Sequence, residues 1–278
     1  MNDHLSTNNP PRNPVQADDW QSLKAFTSAR IALGKTGVSV PLRESLAFRL
    51  AHAHAKDAVY SDLDKAGLQQ SLEAVGLPVY TLQSLATSRD QYLQRPDLGR
   101  RLSEESTGAL RQLDLPPADL SIILADGLSA TALNENAAPV VRLLAERARK
   151  AGYSLAPLTL VEQGRVAISD EIGSLLQARM AIILIGERPG LSAFDSLGAY
   201  LTFAPQPGLT DERRNCVSNI RQQGLSAEMA VEKIMYLVQE AFRLQISGVT
   251  LKDNGAESYL PVEPPRTGFH GPAPGDPN

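Results

Sequence analysis

The chain of 278 residues has a single cysteine, Cys216, which excludes an internal disulfide and any cysteine-based zinc cluster. Histidine is nearly as scarce, with His4, His52, His54 and His270 making up the whole set. His52 and His54 stand two places apart, which on a helix turns them about 200° from one another, so they do not chelate one metal together. No block of lysine and arginine occurs. The 27 basic residues are outnumbered by 31 acidic ones for a net charge of -4, so the electrostatic footprint of a nucleic-acid binder is missing. No apolar run approaches the roughly 20 residues that cross a bilayer. The first twenty residues are polar and hold no signal-peptide core. A reducing cytoplasm is the setting these absences lead one to expect.

What is present is an ordinary globular composition, 42% hydrophobic and 21% charged, long enough for one large domain or two small ones. Residues 1–18 are rich in Asn, Pro, Ser and Asp and read as disordered. Residues 254–278 read as a flexible tail, with prolines and glycines concentrated from Glu263 onward. Residues 19–115 read as a helical arm or subdomain without regular strands. Pro41 is placed as a first helical residue there, with Leu42, Leu46, Phe48, Leu50 and Val59 as apolar positions.

From residue 116 to 253 the pattern changes. Strands are expected at Ser121–Ala125, Ser154–Leu160, Ala181–Ile185 and near Gly198–Ala204. Helices are expected over Ala130–Lys150, closed by Gly152, after a cap at Ser169, from Thr210 to Gln223, and from Ser226 through Phe242. Alternating strands and helices predict an α/β fold: a mostly parallel sheet with helices on both faces, Rossmann- or flavodoxin-like, preceded by a helical amino-terminal region. The run Ala181–Ile185 ends in Gly186-Glu187-Arg188-Pro189-Gly190. A carboxylate just past a strand's carboxyl end sits where open α/β sheets bind ligands.

Three catalytic patterns fail on their own residues. Gly34-Lys35-Thr36 looks like the end of a phosphate loop, but the required earlier glycine is Ala29. Gly127-Leu128-Ser129-Ala130-Thr131 sits where a nucleophile elbow would, with threonine in place of the last glycine. A hydrolase using Ser129 is the alternative function this leaves, with His270 in the tail as the only downstream histidine. The favoured reading has Asp126 or Ser129 satisfying the exposed amides of the following helix. Cys216, placed early in a helix beside Arg213 and Arg214, reads as a small semi-buried side chain.

In Thr27–Gly34, Leu46–Phe48, Ala51–Val59, Ala125–Ala130, Gly186–Leu191, Asp195–Tyr200, Arg214–Arg221 and Gly248–Asp253 the chain resembles the small (light, β) subunit of ethanolamine ammonia-lyase. The likeness covers roughly residues 20–253. It implies the adenosylcobalamin-dependent, radical conversion of ethanolamine to acetaldehyde and ammonia, with the substrate held in a barrel of the large subunit. The small subunit then has no catalytic residue or metal ligand of its own and covers the lower side of the cobalamin. The family leaves cobalt on the cofactor's own dimethylbenzimidazole, the base-on state. In agreement, none of the four histidines here belongs to an Asp-x-His-x-x-Gly signature. The resemblance carries cobalamin contacts onto Val166, Glu187 and Cys216, with Arg165 and Arg188 as candidates for the cofactor phosphate or the partner. It also implies a hetero-oligomer of six large and six small subunits, with the arm docked on the large one. A bacterial microcompartment is left open as its setting, and residues 1–18, outside the likeness, read as a packaging tag for it or, by preference, as a dispensable extension.

Overall fold

The computed structural model describes residues 14–27 and 29–251. Among these, six strands form one sheet in the order β1-β3-β2-β4-β5-β6. They are β1 (Val79–Gln83), β2 (Ala118–Ala125), β3 (Leu158–Glu162), β4 (Ala178–Gly186), β5 (Leu197–Phe203) and β6 (Arg214–Ile220). The helices are α1 (Leu42–Val59), α2 (Lys65–Leu72), α3 (Arg89–Gln94), α4 (Glu104–Arg111), α5 (Ala130–Lys150), α6 (Ile168–Leu175) and α7 (Ala227–Leu244). β1, β3, β2 and β4 pair in parallel, β5 is antiparallel to β4, and β6 is antiparallel to β5. Only β5 therefore runs against the rest, and the expected mostly parallel α/β sheet is what the chain forms.

The central strands are mostly apolar on both faces because helices cover both sides of the sheet. On one side Leu120, Ile122, Leu124, Met180, Ile182 and Leu184 pack with buried residues of α5 and α7. On the other, Ile123, Ala125, Ala181, Ile183 and Ile185 pack with Ile168 and Ile172 of α6. The alternation of successive residues between the two clusters is the strand period of two. A bidentate ion pair fixes α6 to the sheet: the Arg214 Nη1 and Nη2 donate to the two Asp170 oxygens at 2.6 and 2.8 Å, both side chains fully buried.

Four local expectations need correction. The stretch expected to lack strands contains β1, whose Val79–Gln83 pairs in parallel with Leu158–Glu162 at the sheet's edge. Only Leu82 of it is buried and Thr81 is exposed, so no continuous apolar run marks it. The helix expected from Thr210 is instead a 3-10 turn followed by β6, which places Cys216 on a strand. The cause is a register shift. Leu197 and Ala199 of β5, two apart, face Ile220 and Val217 of β6, three apart, so Arg214, Val217 and Ile220 are buried at a helix-like interval. Ser169 is not a cap. Ala167 occupies that position, and the Ser169 hydroxyl donates to the Val166 carbonyl at 2.8 Å. Pro41 precedes the first residue of α1 rather than opening it.

At the amino end, residues 1–13 of the expected extension lie outside the described residues, and Gln16 and Lys35 exchange backbone hydrogen bonds at 2.7 and 2.9 Å. The expected tail, 254–278, also lies outside them. No described helix is long and apolar enough to cross a membrane.

Candidate functional site

The carboxyl ends of β2, β3 and β4 meet at one edge of the sheet. From β2 the chain continues to β3 on one side, and from β3 it crosses to β4 on the other. This reversal opens a crevice at the strand ends. Three turns line it: Asp126-Gly127-Leu128 after β2, Gln163-Gly164-Arg165-Val166 after β3, and Gly186-Glu187-Arg188 after β4. The resulting hollow, about 420 Å³, is lined by Gly127, Leu128, Arg165, Val166, Glu187 and Arg188, with Tyr92 and Tyr200 among its walls.

The turns approach closely enough to require glycine. Gly127 has φ +56°, and a Cβ there would lie 2.2 Å from the Gly186 carbonyl. A Cβ on Gly186 would lie 2.0 Å from the Ser129 carbonyl. Neither position accepts a larger residue without moving backbone.

Asp126 ties the β3 turn in place. Its carboxylate is buried and accepts from the backbone amides of Gln163 (3.0 Å) and Gly164 (3.1 Å). Gln163 itself has φ +56°, a left-handed conformation unusual for a side chain of its size. Arg89 lies 3.8 Å from Asp126 and donates to the carbonyls of Val59 (2.6 Å) and Gly127 (2.8 Å), joining the end of α1 to the rim of the hollow. Burial pushes the Asp126 carboxyl up to about 6, outweighing the amide donors and the Arg89 charge that pull it down. Of the two residues expected to serve the following helix, only Ser129 does so.

Ser129 is fully buried. Its hydroxyl donates to the Phe194 carbonyl at 2.8 Å and accepts from the Ala132 amide at 3.1 Å, capping α5. That hydroxyl has neither a base beside it nor a path to substrate, so the hydrolase alternative is withdrawn.

Glu187 is half-buried over the start of β5. Its Oε2 accepts from the Ser196 hydroxyl at 2.5 Å and from the Asn219 amide at 3.4 Å, and its backbone amide donates to the Ser196 carbonyl at 2.9 Å. Asn219 has φ +59° within the irregular β6 segment, so the shift that disguised this strand also turns an amide toward the carboxylate. Gly198 leaves room for the side chain: a Cβ there would lie 2.9 Å from Glu187 Oε1. Oε1 has no hydrogen-bond donor among the described residues and is the oxygen left for a ligand.

The structure thus brings Val166 and Glu187 into one hollow with Arg165 and Arg188. Cys216 lines an adjoining depression with Ser218, Asn219 and Lys233. It faces Tyr200 across the β5–β6 pair. Packing around the thiol pushes it up, more than Tyr200 lowers it, and the nearby Glu187 carboxylate adds to the rise. The thiol is exposed yet protonated, which suits a contact rather than a nucleophile. Tyr92 and Arg89 were not legible as site residues, because contacts distant in sequence bring them there, while Ser196 reaches Glu187 across the β4–β5 turn. Among the described residues no group of three or more His, Cys, Asp or Glu side chains is arranged to hold a metal ion.

The family model for the ethanolamine ammonia-lyase light chain (EutC) matches residues 17–252. An ethanolamine ammonia-lyase small subunit of Azotobacter vinelandii is 53% identical over 252 residues, 90% of this chain and 93% of the relative. The protein of the same name from Pseudomonas aeruginosa PAO1 is 52% identical over 90% of this chain and 92% of its own length. That from Ralstonia nicotianae is 52% identical over 86% and 90%. With a match that runs through the sheet, the three turns and the arm, this chain belongs to the ethanolamine ammonia-lyase light-chain family.

Proposed function

We propose that the chain is the small subunit of an adenosylcobalamin-dependent ethanolamine ammonia-lyase, converting ethanolamine to acetaldehyde and ammonia with a large-subunit partner. The observation that carries the reading is the match over residues 17–252 to the light-chain family. The strand-end hollow fits the cofactor by the chemistry of its donor set. A corrinoid presents primary amides around its ring, a phosphodiester and an aromatic base. The hollow offers a carboxylate oxygen without a protein donor at Glu187, two guanidinium groups, and apolar surface from Val166, Ile185 and Leu128.

In this role Glu187 accepts hydrogen bonds from cofactor amides, oriented by Ser196 and the Asn219 amide. Val166 gives apolar contact on the nucleotide side, held there by the Asp126 grip on Gln163 and Gly164. Cys216, kept protonated, adds a polarizable contact from β6. When bound, adenosylcobalamin would supply radical chemistry through homolysis of its cobalt–carbon bond. The small subunit's part is to hold the lower side of the cofactor and exclude water there, with no acid, base or nucleophile of its own.

The arm supports the large-subunit partner. Ala58 is the only buried residue among the 18 of α1, and Trp20, Phe26, Val40, Leu42, Leu46 and Phe48 are all exposed. So much bare apolar surface on a folded chain marks a protein interface. We place the large subunit on this face, in the arrangement of six pairs that the family resemblance implies.

The test is co-expression with the large subunit, followed by an assay of acetaldehyde formation with and without adenosylcobalamin. Activity is expected from the co-purified pair only when the cofactor is added. In that complex Glu187→Ala is expected to weaken cyanocobalamin binding by about tenfold, the loss of one charge-assisted hydrogen bond. Ethanolamine turnover by this chain alone, or by the complex without cobalamin, would contradict the reading.

A further inference from the structure

Arg89 is not among the residues that line the hollow, yet it holds the hollow's rim. From the first position of α3 its Nε donates to the Val59 carbonyl at 2.6 Å. Its Nη1 donates to the Gly127 carbonyl at 2.8 Å and to Gln163 Oε1 at 3.2 Å, and lies 3.8 Å from an Asp126 oxygen. One planar guanidinium thus ties the last residue of α1 to the turn after β2 and the turn after β3. A helix end leaves its last carbonyls without partners and carries partial negative charge, so a cation suits it on both counts. The arrangement has a cost: Arg89 Nη2 is buried and has no hydrogen-bond partner among the described residues. Stability alone does not account for a buried donor left unmade, and such exceptions gather where geometry serves function.

The arm reaches the third turn as well. The His54 ring of α1 packs on the Phe194 ring at 5.6 Å, and Arg30 Nη2 donates to the Leu191 carbonyl at 3.5 Å. Phe194 and Leu191 both belong to the segment that runs from Glu187 to β5. Otherwise α1 is lightly held. Ala58 is its one buried residue. The Ser61 hydroxyl fastens its end to α5, accepting from the Thr131 amide at 3.0 Å while donating to the Ala58 carbonyl at 2.8 Å. The helix whose outer face is bare is therefore connected to each of the three turns that line the hollow. A partner that seats on α1 and fixes it also fixes those turns, provided that the Arg89 bonds are in place.

We propose that Arg89 is a positioning residue that couples docking of the large subunit on α1 to the order of the turns carrying Gly127 and Val166, so that these turns take their binding geometry only in the assembled enzyme. This rests on the partner and cofactor readings above. Assembly removes the freedom of the turns before cobalamin arrives, which lowers the entropic cost of binding it. Arg89 acts through the backbone of Gly127 and the side chain of Gln163, beside the Asp126 grip on the same β3 turn.

The experiment follows backbone hydrogen exchange by mass spectrometry in the full-length small subunit, alone and in complex with the large subunit, with no cobalamin present. Peptides holding the Leu128, Gln163 and Gly164 amides report the turns, because these amides are bonded there to Gly186 and Asp126. In wild type they are expected to slow by about tenfold on assembly. Arg89→Lys keeps a charge beside Asp126, but one ammonium does not span three acceptors. There the turn amides are expected to slow by less than about twofold, while α1 peptides are protected in both complexes. Cyanocobalamin binding to the same complexes is expected to weaken by about tenfold in Arg89→Gln and about threefold in Arg89→Lys. Thermal melting checks that each variant is folded, and Arg89→Lys decides the matter if Arg89→Gln does not assemble. Turn amides that slow equally in wild type and variant, or in neither, would overturn the coupling. Glu187→Ala measured alongside separates the two readings. If it weakens cyanocobalamin while the Arg89 variants match wild type in both readouts, the coupling alone falls. If it leaves cyanocobalamin unchanged, the cofactor reading falls, and the exchange rates still judge the coupling.

Discussion

Replacing Asp126 with asparagine will flatten part of the chain's stability profile on the acid side. The carboxyl is buried beneath the β2 and β3 turns, and burial lifts it from its ordinary 3.8 to about 6, against the pull of the Gln163 amide, the Arg89 charge and the Gly164 amide. The sign follows from which state holds the proton. Below pH 3.8 folded and unfolded chains both carry it, and the group leaves stability unchanged. As pH rises from there to about 6 the unfolded chain ionises first, so stability falls. Above about 6 both are ionised and the deficit stays constant, near 3 kcal/mol. Between about pH 4.5 and 7.5 wild type therefore loses about 2 kcal/mol that the asparagine variant keeps. The substitution has its own pH-independent effect: one carboxamide oxygen serves only one of the two amides, which costs about 1–3 kcal/mol. The comparison is for that reason one of slopes, from urea unfolding of the full chain and the variant at both pH values. Identical changes in the two proteins, or a wild type that gains on the variant as pH rises, would refute the argument that burial dominates at Asp126.

Two further substitutions probe the roles assigned to side chains near the hollow. Ser129→Ala removes the α5 cap and is expected to lower stability by about 1 kcal/mol while leaving ethanolamine turnover of the complex within about twofold. A collapse of turnover in a folded complex would restore a chemical role for that hydroxyl. Cys216, with its thiol pushed up by packing and by Glu187, is expected to react with iodoacetamide at neutral pH more slowly than a free cysteine, despite its exposure. Faster alkylation would mean a thiolate, and the contact role given to Cys216 would not stand.

How far the sequence disclosed the fold depended on how each element is buried. β2 and β4 are covered on both faces and so carry the apolar runs Ile122–Ala125 and Met180–Ile185, and α5 and α7 carry capping serines ahead of long amphipathic stretches. β1 lies at the sheet's edge with intermediate burial, and its Val-Tyr-Thr-Leu-Gln has no run to reveal it. β6 misled more actively, because its irregular pairing buries residues three apart and so mimics one face of a helix. At the site, Glu187 was legible because a strand signal ends immediately before it. Val166 and Cys216 came from the family resemblance, since neither stands out in composition or spacing. Arg89 and Tyr92 were invisible: each acts through partners more than thirty residues away, Arg89 on Gly127 and Tyr92 on Gly164, a separation that no local pattern records.

The most direct test of the account is a structure of the assembled large and small subunits with cyanocobalamin bound. The account predicts the lower side of the corrinoid over the strand-end hollow, with a cofactor amide within hydrogen-bonding distance of Glu187 Oε1 and Val166 against the nucleotide side. A cofactor bound wholly by the large subunit, with the hollow facing solvent, would contradict it.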